Sequence, residues 1–320
     1  MKRQLYKLYH PEIFQGDLKK KNYFEGWYYK IVTADESQAI AIIPGVSIGR
    51  DNDSHAFVQV LNGKTAQSYY HTYPIERFRA DKKVLDVSIA DNHFNKKKIE
   101  LSLPSLSGTI KLNNLTPLST SITNPGIMGW FSFTPKMQCY HGVVSMGHDL
   151  EGTLTTEGKT IDFSGGRGYI EKDWGTSFPK CWIWAHSNHF KSHPELSLMA
   201  SVAHIPWMGN YFIGFIVALH YEGKTEVYAT YNRAKKQVSI DGETVHMTFK
   251  RKNRVLNISA VPGAGADLKS PISGLMTGKV NESLAAEIKI TLVENGKTLI
   301  EDYSTTSGLE VAGDVSILLG

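Results

Sequence analysis

The sequence has few cysteines, no long apolar run and no strong excess of charge. Its 320 residues include only two cysteines, Cys139 and Cys181, which argues against a secreted disulfide framework and suits a reducing cytosol. No run approaches 18 apolar residues, and the first fifteen residues lack the apolar centre of a signal peptide. We therefore expect a cytoplasmic protein without a transmembrane helix. A net charge of +4 is too small for a nucleic-acid surface, so we expect no nucleic-acid partner.

Long amphipathic helices are also missing, whereas strand patterns are abundant. Runs of four to nine residues rich in Val, Ile, Tyr, Phe and Thr alternate with polar clusters in both halves of the chain. Hairpin-type dipeptides separate several of these runs, namely Asn62-Gly63, Glu222-Gly223, Asp241-Gly242 and Asn295-Gly296. The glycine-rich stretch 261–274 lacks the context of a phosphate-binding loop, and we interpret it as an irregular loop. The pattern predicts an all-β protein.

A long all-β chain must protect the edges of its sheets, and closed antiparallel barrels or sandwiches do so. Because both halves show a similar meander, we predict two tandem β-barrels. Gly175 and Pro179 interrupt the strand pattern near the middle of the chain. We therefore place an N-terminal barrel at residues 1–176 and a C-terminal barrel at residues 177–320.

The segment CWIWAHSNHF, residues 181–190, concentrates aromatic and polar side chains. If it forms a strand, side chains of equal parity share a face. One face then carries Trp182, Trp184, His186, Asn188 and Phe190. Indole and imidazole groups need hydrogen-bond partners when buried, so this face is more typical of a ligand cavity than of an aliphatic core.

The preceding segment RGYIEKDW, residues 167–174, brings two carboxylates onto one face. The same parity rule groups Tyr169 with Glu171 and Asp173. Residues two apart on a strand lie about 6.5–7 Å apart, and carboxylates at that distance repel when partly buried. One of them then tends to keep its proton, which would make it a Brønsted acid beside aromatic rings that stabilise cations.

A purely structural interpretation competes with this one. EKDWG also fits a charged strand end before a turn, in which Asp173 accepts backbone hydrogen bonds. A metal site is a further alternative, because His186, His189 and His193, or His141 and His148, are close in sequence. His186 and His189 would point to opposite faces, and no Cys or carboxylate completes a set at usual spacing, so we predict no metal site. The chain has no Gly-x-Ser-x-Gly elbow of a serine hydrolase.

The other landmark is FEGWYYK, residues 24–30. A Gly-Trp pair at the start of a first barrel strand is similar to the tryptophan with which lipocalins plug one end of their barrel. For Trp27 we favour that structural role. Glu25 shares its face, and the sequence leaves open whether Glu25 is ion-paired at the rim or contacts a ligand.

FEGWYYK together with GGRGYIEKDWGTSFPKCWIWAHSNHF, residues 165–190, resembles the tocopherol cyclase family. The resemblance covers the first 190 residues in the order and spacing of the motifs. In the remaining residues it is limited to the pattern of strands and to the closing segment GLEVAGD. It also extends to carotenoid hydratase-like and Diels–Alderase-like enzymes with paired lipocalin-like (calycin) barrels. It therefore implies the same two-barrel, all-β fold as the strand pattern.

The resemblance also implies a chemistry, closure of a chroman ring on a prenylated hydroquinone. An acid protonates the alkene and the phenol oxygen traps the tertiary cation, which requires no metal and no redox cofactor. Glu171 matches the family's glutamate, with Asp173 as a second candidate catalytic residue. Substrate-binding positions would be Glu25, Trp27, Tyr28, Tyr169, Trp174, Trp182, Trp184, His186 and Asn188. Plant relatives carry Asn at the position of Asp173 and Gln at that of His186, so Glu171 is the preferred acid and the substrate is open.

Two other functions remain possible from the sequence. The protein could be a lipocalin-like carrier in which Glu171 and His186 anchor the head group of a hydrophobic metabolite. Carbohydrate binding would instead require the aromatic rings on an exposed flat face. In the enzyme and carrier hypotheses the partner is a hydrophobic small molecule, which a peripheral contact with a membrane could deliver. The sequence does not give the oligomeric state.

Overall fold

The computed structural model describes residues 2–50 and 53–320 as two antiparallel sheets with few helices. A short helix α1 (Lys2–Tyr9) precedes the first sheet. The strands of that sheet are β1 (Tyr23–Val32), β2 (Ala39–Ile48), β3 (Ser54–Asn62), β4 (Gln67–Pro74), β5 (Phe78–Ala80), β6 (Asp86–Ile89), β7 (Asn92–Asn95), β8 (Lys98–Ser102), β9 (Ser107–Asn113), β10 (Cys139–Thr156), β11 (Lys159–Asp162) and β12 (Arg167–Gly175).

The second sheet contains the remaining strands and closes the chain. They are β13 (Trp182–Ser187), β14 (Ser197–Trp207), β15 (Asn210–Tyr221), β16 (Lys224–Ala229), β17 (Lys235–Asp241), β18 (Thr244–Arg251), β19 (Arg254–Val261), β20 (Gly265–Ile272), β21 (Leu275–Glu294) and β22 (Lys297–Ala312). Short 3₁₀ helices lie at Ile75–Arg77, Gly129–Phe133, Thr230–Asn232 and Val315–Leu318. None of the helices in the described ranges has the length and apolarity needed to span a membrane.

The pairing order brings the two conspicuous sequence segments to the middle of their sheets. The first sheet runs β4-β3-β2-β1-β12-β10-β9-β8-β7-β6-β5, with β11 beside β10. The second runs β16-β15-β14-β13-β22-β21-β19-β18-β17, with β20 beside β21. Strands β1 and β12 are therefore central neighbours in one sheet, and β13 is central in the other. Central strands have both edges paired, which fixes the direction of their side chains.

Each sheet curls around its own apolar core, and alternation along the strands decides which side chains enter it. In β1, Tyr23, Trp27 and Tyr29 belong to the core of the first sheet. In β13, Ile183 and Ala185 belong to the core of the second sheet. The side chains between them point out of their own sheet, as expected for a period of two.

These outward side chains meet in a third apolar layer between the sheets. Its members include Tyr28 and Tyr169 of the first sheet and Trp182 and Trp184 of the second. The strands of the first sheet end at Gly175 and those of the second begin at Trp182. The division into domains 1–176 and 177–320 stays a prediction, because the two sheets also share this buried layer.

Two sequence interpretations are wrong and others are confirmed. Phe190 does not continue the face of Trp182 and Trp184, because β13 ends at Ser187 and Phe190 packs in the core of the second sheet. The stretch 261–274 is not a loop, because most of it forms β20, which pairs with β21. The turns at Glu222-Gly223 and Asn295-Gly296 have positive φ at both residues, from 49° to 81°, as tight hairpins require. Cys139 and Cys181 are free thiols.

Candidate active site

A cavity of about 190 Å³ lies between the two sheets. A single lipocalin-like barrel would place its ligand inside its own core. Here the cavity lies outside the core of either sheet. Both sheets contribute to it, and most of the lining is apolar or aromatic. The acids and the imidazole among the lining residues are His141, Glu171, Asp173, Glu282 and Glu310, and further polar groups come from Gln59, Ser201, Thr230 and Lys269.

Strand β12 directs Glu171 into this cavity by simple alternation. Glu171 is flanked by Tyr28 of β1 on one side and Val143 of β10 on the other. The adjacent Ile170 lies in the first core. Tyr169, two residues before Glu171, lies in the layer between the sheets. The parity prediction for this strand is therefore confirmed.

One oxygen of Glu171 receives all of its hydrogen bonds. The Tyr169 hydroxyl donates to Oε2 at 2.6 Å, and the Trp184 indole Nε1 donates to the same atom at 3.1 Å. His141 Nε2 lies 3.4 Å from it. Among the described residues, no donor is directed at Oε1. Oε1 is thus the oxygen on which a proton can be held and presented.

The environment of Glu171 favours its neutral form. The side chain is buried, with only 4% of the residue exposed. Burial raises the pKa of Glu171 to about 7, and the charge of Asp173 acts in the same direction. His141 and the hydrogen bonds from Tyr169 and Trp184 oppose the rise. Because loss of water outweighs these contacts, a large fraction of Glu171 is protonated at neutral pH.

His141 joins Glu171 to the second carboxylate. Its Nδ1 lies 2.9 Å from Asp173 Oδ1, and the imidazole therefore bridges the two acids. Burial would lower the pKa of His141, but the charges of Asp173 and Glu171 outweigh it and raise that pKa to about 9. The imidazole is therefore held as a cation beside Asp173. Sequence spacing missed His141, because β10 and β12 become neighbours only in the folded sheet.

The remaining wall near Glu171 is aromatic. Trp184 packs edge-on against Tyr28, with ring centroids 5.4 Å apart. Phe178 makes edge contacts with both Phe24 and Trp182 at 5.4 Å. Electron-rich ring faces attract cations in a dry site. The cavity thus places an acid beside surfaces that stabilise positive charge.

The second sheet adds two acids that the sequence analysis did not identify. Glu282 of β21 and Glu310 of β22 are cross-strand partners. The Tyr28 hydroxyl donates to Glu282 at 2.5 Å, and the Trp182 indole donates to Glu310 at 2.5 Å. Alternation along β21 and β22 is the sequence signal that could have identified them, since both glutamates point to the cavity between the sheets.

Three residues that were predicted to contact a ligand belong instead to a cluster that holds the N-terminal segment. We call this cluster the clasp. Glu25 is fully buried, paired with Lys172 at 2.5 Å, and accepts hydrogen bonds from the backbone of Gln15 and Gly16. Trp27 and Trp174 lie on either side of the same ammonium, with Nζ 4.8 and 4.7 Å from their ring centroids. Because they lie on the core side of the first sheet, Glu25, Trp27 and Trp174 do not line the cavity.

Three further predicted residues lie behind the cavity wall. Tyr169 reaches the site only through its hydrogen bond to Glu171. His186 stacks on Tyr169 with centroids 3.7 Å apart, and the Asn188 side chain donates to the carbonyl of Gly168 at 2.9 Å. These side chains support the wall. Of the predicted positions, Tyr28, Glu171, Asp173, Trp182 and Trp184 line the cavity itself.

The structure also brings together a set of potential metal ligands. One ligand atom from each of His141, Glu171 and Asp173 lies within 4.8 Å of the others. Along the chain no carboxylate lies at a usual ligand spacing from the candidate histidines, but in the fold Glu171 and Asp173 come from β12, which pairs with the strand of His141. His141 Nδ1 forms a hydrogen bond with Asp173 Oδ1, whereas Nε2 lies 3.4 Å from Glu171 Oε2 and has no hydrogen-bond partner among the described residues.

Sequence comparison identifies a family. The model of the family described as tocopherol cyclase-like matches residues 119–313. The chain is 22% identical over 197 residues to a probable chloroplastic tocopherol cyclase of Oryza sativa subsp. japonica, covering 58% of this chain and 42% of that protein. It is 24% identical over 198 residues to the chloroplastic tocopherol cyclase of Zea mays, covering 58% and 41%. The chain thus spans about two fifths of the length of these relatives.

Structural comparison identifies the fold. A putative AttH from Nitrosomonas europaea superimposes with a TM-score of 0.53 at 14% identity, covering 90% of this chain and 92% of that one. CghA superimposes with a TM-score of 0.57 at 10% identity, covering 91% and 88%. At such low identity these neighbours show the fold alone. The predicted all-β, lipocalin-like architecture with two antiparallel sheets is confirmed.

Proposed function

Because this chain belongs to the tocopherol cyclase-like family, we propose that it is an acid-catalysed cyclase of a prenylated hydroquinone or a related isoprenoid. One observation carries the proposal. Glu171 presents a buried carboxyl group, with a pKa raised to about 7, to an aromatic cavity between the sheets. A carboxylic acid that stays protonated near neutral pH, in a site with little water, is suited to protonate an alkene.

The proposed reaction is an isomerisation in which atoms and charge balance within the site. Glu171 Oε1 gives its proton to the less substituted carbon of a trisubstituted alkene, and a tertiary cation forms. The phenol oxygen attacks this cation and closes the ring. The phenol proton returns to the Glu171 carboxylate, so the enzyme is regenerated and no co-reactant is consumed.

The neighbours of Glu171 have distinct roles in this scheme. Tyr169, Trp184 and the His141 cation all face Oε2, where negative charge develops as the proton leaves Oε1. Preorganised donors of this kind stabilise a developing anion without reorganisation. The rings of Tyr28 and Trp184 stabilise the cation that forms beside them. The apolar lining keeps water from capturing the cation.

We expect the turnover rate to fall as the pH rises through about 7. Glu171 acts in its protonated form, which predominates below its pKa of about 7 and is lost above it. The measurement is conversion of a prenylated hydroquinone to the isomeric chroman by chromatography between pH 5 and 9. A rate that stays constant up to pH 9 would contradict the assignment of the acid. Recovery of unchanged hydroquinone at every pH would favour a carrier.

The variant His141→Asn tests the same pH dependence of the turnover rate in a second way. The His141 cation lowers the pKa of Glu171, so its removal should move the falling limb of the pH profile to higher pH. The maximal rate should also decrease, because one group that faces Oε2 is lost. An unchanged midpoint would show that His141 carries no charge in the active protein.

We also propose that the protein collects its substrate from a lipid bilayer. Trp130, Phe133 and Met208 are 49%, 44% and 91% exposed. Trp130 stacks on Phe131 at 4.0 Å, and Phe133 belongs to the same 3₁₀ helix. Met208 follows Trp207, which packs against Phe131 and Phe212. Phe131 and Phe212 stack at 5.5 Å and line the cavity. Exposed apolar side chains continuous with an apolar cavity are typical of surfaces that contact lipid.

The variant Trp130→Ser/Met208→Ser tests this contact. We expect it to sediment with phosphatidylcholine vesicles several-fold less than the wild type, because it loses apolar area that enters the interface. Turnover of substrate dissolved in detergent micelles should be unchanged, since neither side chain lines the cavity. Equal vesicle binding by the two proteins would refute the proposal.

A further inference from the structure

Two acids that line the cavity come from the second sheet. Glu282 and Glu310 stand opposite each other on β21 and β22, and Trp184 of β13 is the other cross-strand partner of Glu310. Each glutamate has one fixed donor, Tyr28 for Glu282 and Trp182 for Glu310. The mechanism proposed above uses neither glutamate.

Among the acids that line the cavity, Glu282 is the one with a fully buried carboxyl oxygen that has no hydrogen-bond partner among the described residues. The residue is 0% exposed, and its Oε1 accepts the hydrogen bond from Tyr28. Its Oε2 is buried and has no hydrogen-bond partner among the described residues. An unpaired buried polar atom destabilises the protein, so a ligand group that forms a hydrogen bond with it binds more tightly. Because Glu282 lines the cavity, the missing partner can come from a ligand.

Burial favours the neutral form of Glu282. Burial raises the pKa of Glu282 to about 8, although Tyr28 and Lys30 oppose the rise and Glu171 reinforces it. The Lys30 ammonium is directed elsewhere, since Nζ donates to the carbonyl of Thr306 at 2.8 Å. A neutral carboxyl beside a cavity is suited to a neutral ligand group.

We propose that Glu282 is a specificity-determining residue whose free oxygen hydrogen-bonds a hydroxyl group of the ligand. The substrate class is the one already proposed, and the new element is the contact between its hydroxyl group and Glu282. This assignment deepens the proposed function and rests on it for the substrate class. It concerns binding and does not require turnover.

A hydroxyl group fits Glu282 better than other polar groups do. A hydroxyl both donates and accepts, so it can pair with Oε2 whether the carboxyl is protonated or ionised. A carbonyl oxygen would pair only with the protonated acid, and an ammonium only with the ionised acid. The Tyr28 hydroxyl already occupies Oε1 and thereby leaves one position for the ligand.

The test uses two unreactive probes in equilibrium binding. One is a hydroquinone with a saturated isoprenoid chain, which has no alkene to protonate, and the other is its dimethyl ether. We expect wild-type protein to bind the hydroquinone at least about tenfold more tightly than the ether. In Glu282→Leu this preference should fall about tenfold. Glu301→Leu, at an exposed position of the same sheet, should keep the wild-type preference.

Glu282→Leu leaves the Tyr28 hydroxyl without its hydrogen-bond partner. The binding preference is therefore also measured in the double variant Tyr28→Phe/Glu282→Leu, and it is compared with that of Tyr28→Phe alone. The proposal is overturned if wild type shows no preference for the hydroquinone, or if either Glu282 variant that folds keeps the full preference. Failure of the Glu282 proposal is distinguishable from failure of the proposed function. If the protein is a carrier, it prefers the hydroquinone but shows no turnover. If it is an enzyme with a different specificity residue, turnover is seen and Glu282→Leu keeps the preference.

Discussion

Glu171→Gln is expected to lower the turnover rate by a factor of ~10²–10⁴, which is the usual contribution of a positioned general acid. Glutamine has the shape of a neutral glutamic acid, so Tyr169 and Trp184 keep an acceptor at the position of Oε2. An amide cannot release a proton at this pH, and the alkene therefore stays unprotonated. The measurement is the initial rate of chroman formation at pH 6, where the wild-type acid is mostly protonated.

Binding and folding controls separate the loss of chemistry from other effects. Binding of the saturated-chain hydroquinone should change by no more than a few-fold in Glu171→Gln, because the apolar wall is intact. Glu301→Gln serves as the matched surface control and should have the wild-type rate. A Glu171→Gln variant that retains full activity would remove Glu171 from the reaction.

Lys172→Met is expected to destabilise the fold by about 3–5 kcal/mol, because it leaves Glu25 as an unpaired buried charge. Lys172 and Glu25 both have fully buried side chains and lie 2.5 Å apart. The ammonium also donates to backbone carbonyls in the N-terminal segment, including that of Pro11 at 2.9 Å. Burial lowers the pKa of Lys172 to about 8 although Glu25 opposes the shift, which shows how costly this environment is for a charge. The free energy of unfolding in urea measures the effect.

Two comparisons make the stability prediction specific. Lys111→Met breaks an ion pair with Glu151 of similar length, 2.8 Å, but with side chains more than half exposed. We expect that variant to lose less than about 1 kcal/mol. Glu25→Gln/Lys172→Met removes both buried charges and should recover part of the loss seen in Lys172→Met. Equal stabilities for the Lys172 and Lys111 variants would contradict a structural role for the buried pair.

The local geometry of the site could be predicted from the sequence because strands have a period of two. Alternation correctly placed Tyr169, Glu171 and Asp173 on one face and Ile170 on the opposite one. It also grouped Trp182 with Trp184, which point together into the layer between the sheets. These assignments need only the direction of each strand.

What the sequence could not supply is the distance between residues that are far apart along the chain. His141 meets Glu171 because β10 and β12 pair, and Glu282 meets Tyr28 because the two sheets stack. Glu25, Trp27 and Trp174 shared the family-like motifs with true cavity residues but lie on the other face. A motif thus combined two functions, a clasp on the core side and a cavity on the outer side, in strands only nine or ten residues long.

In strand β12 the cavity and the clasp are served by adjacent residues, since Glu171 faces the cavity and Lys172 faces the clasp. A deletion or insertion of a single residue in this strand would exchange the two faces and put an ammonium where the acid belongs. The cavity itself, in contrast, is bounded by two cores that each pack independently. Tyr28, Trp182 and Trp184 line the cavity from the layer between these cores, so replacing them would change the size of the cavity without a change in either core.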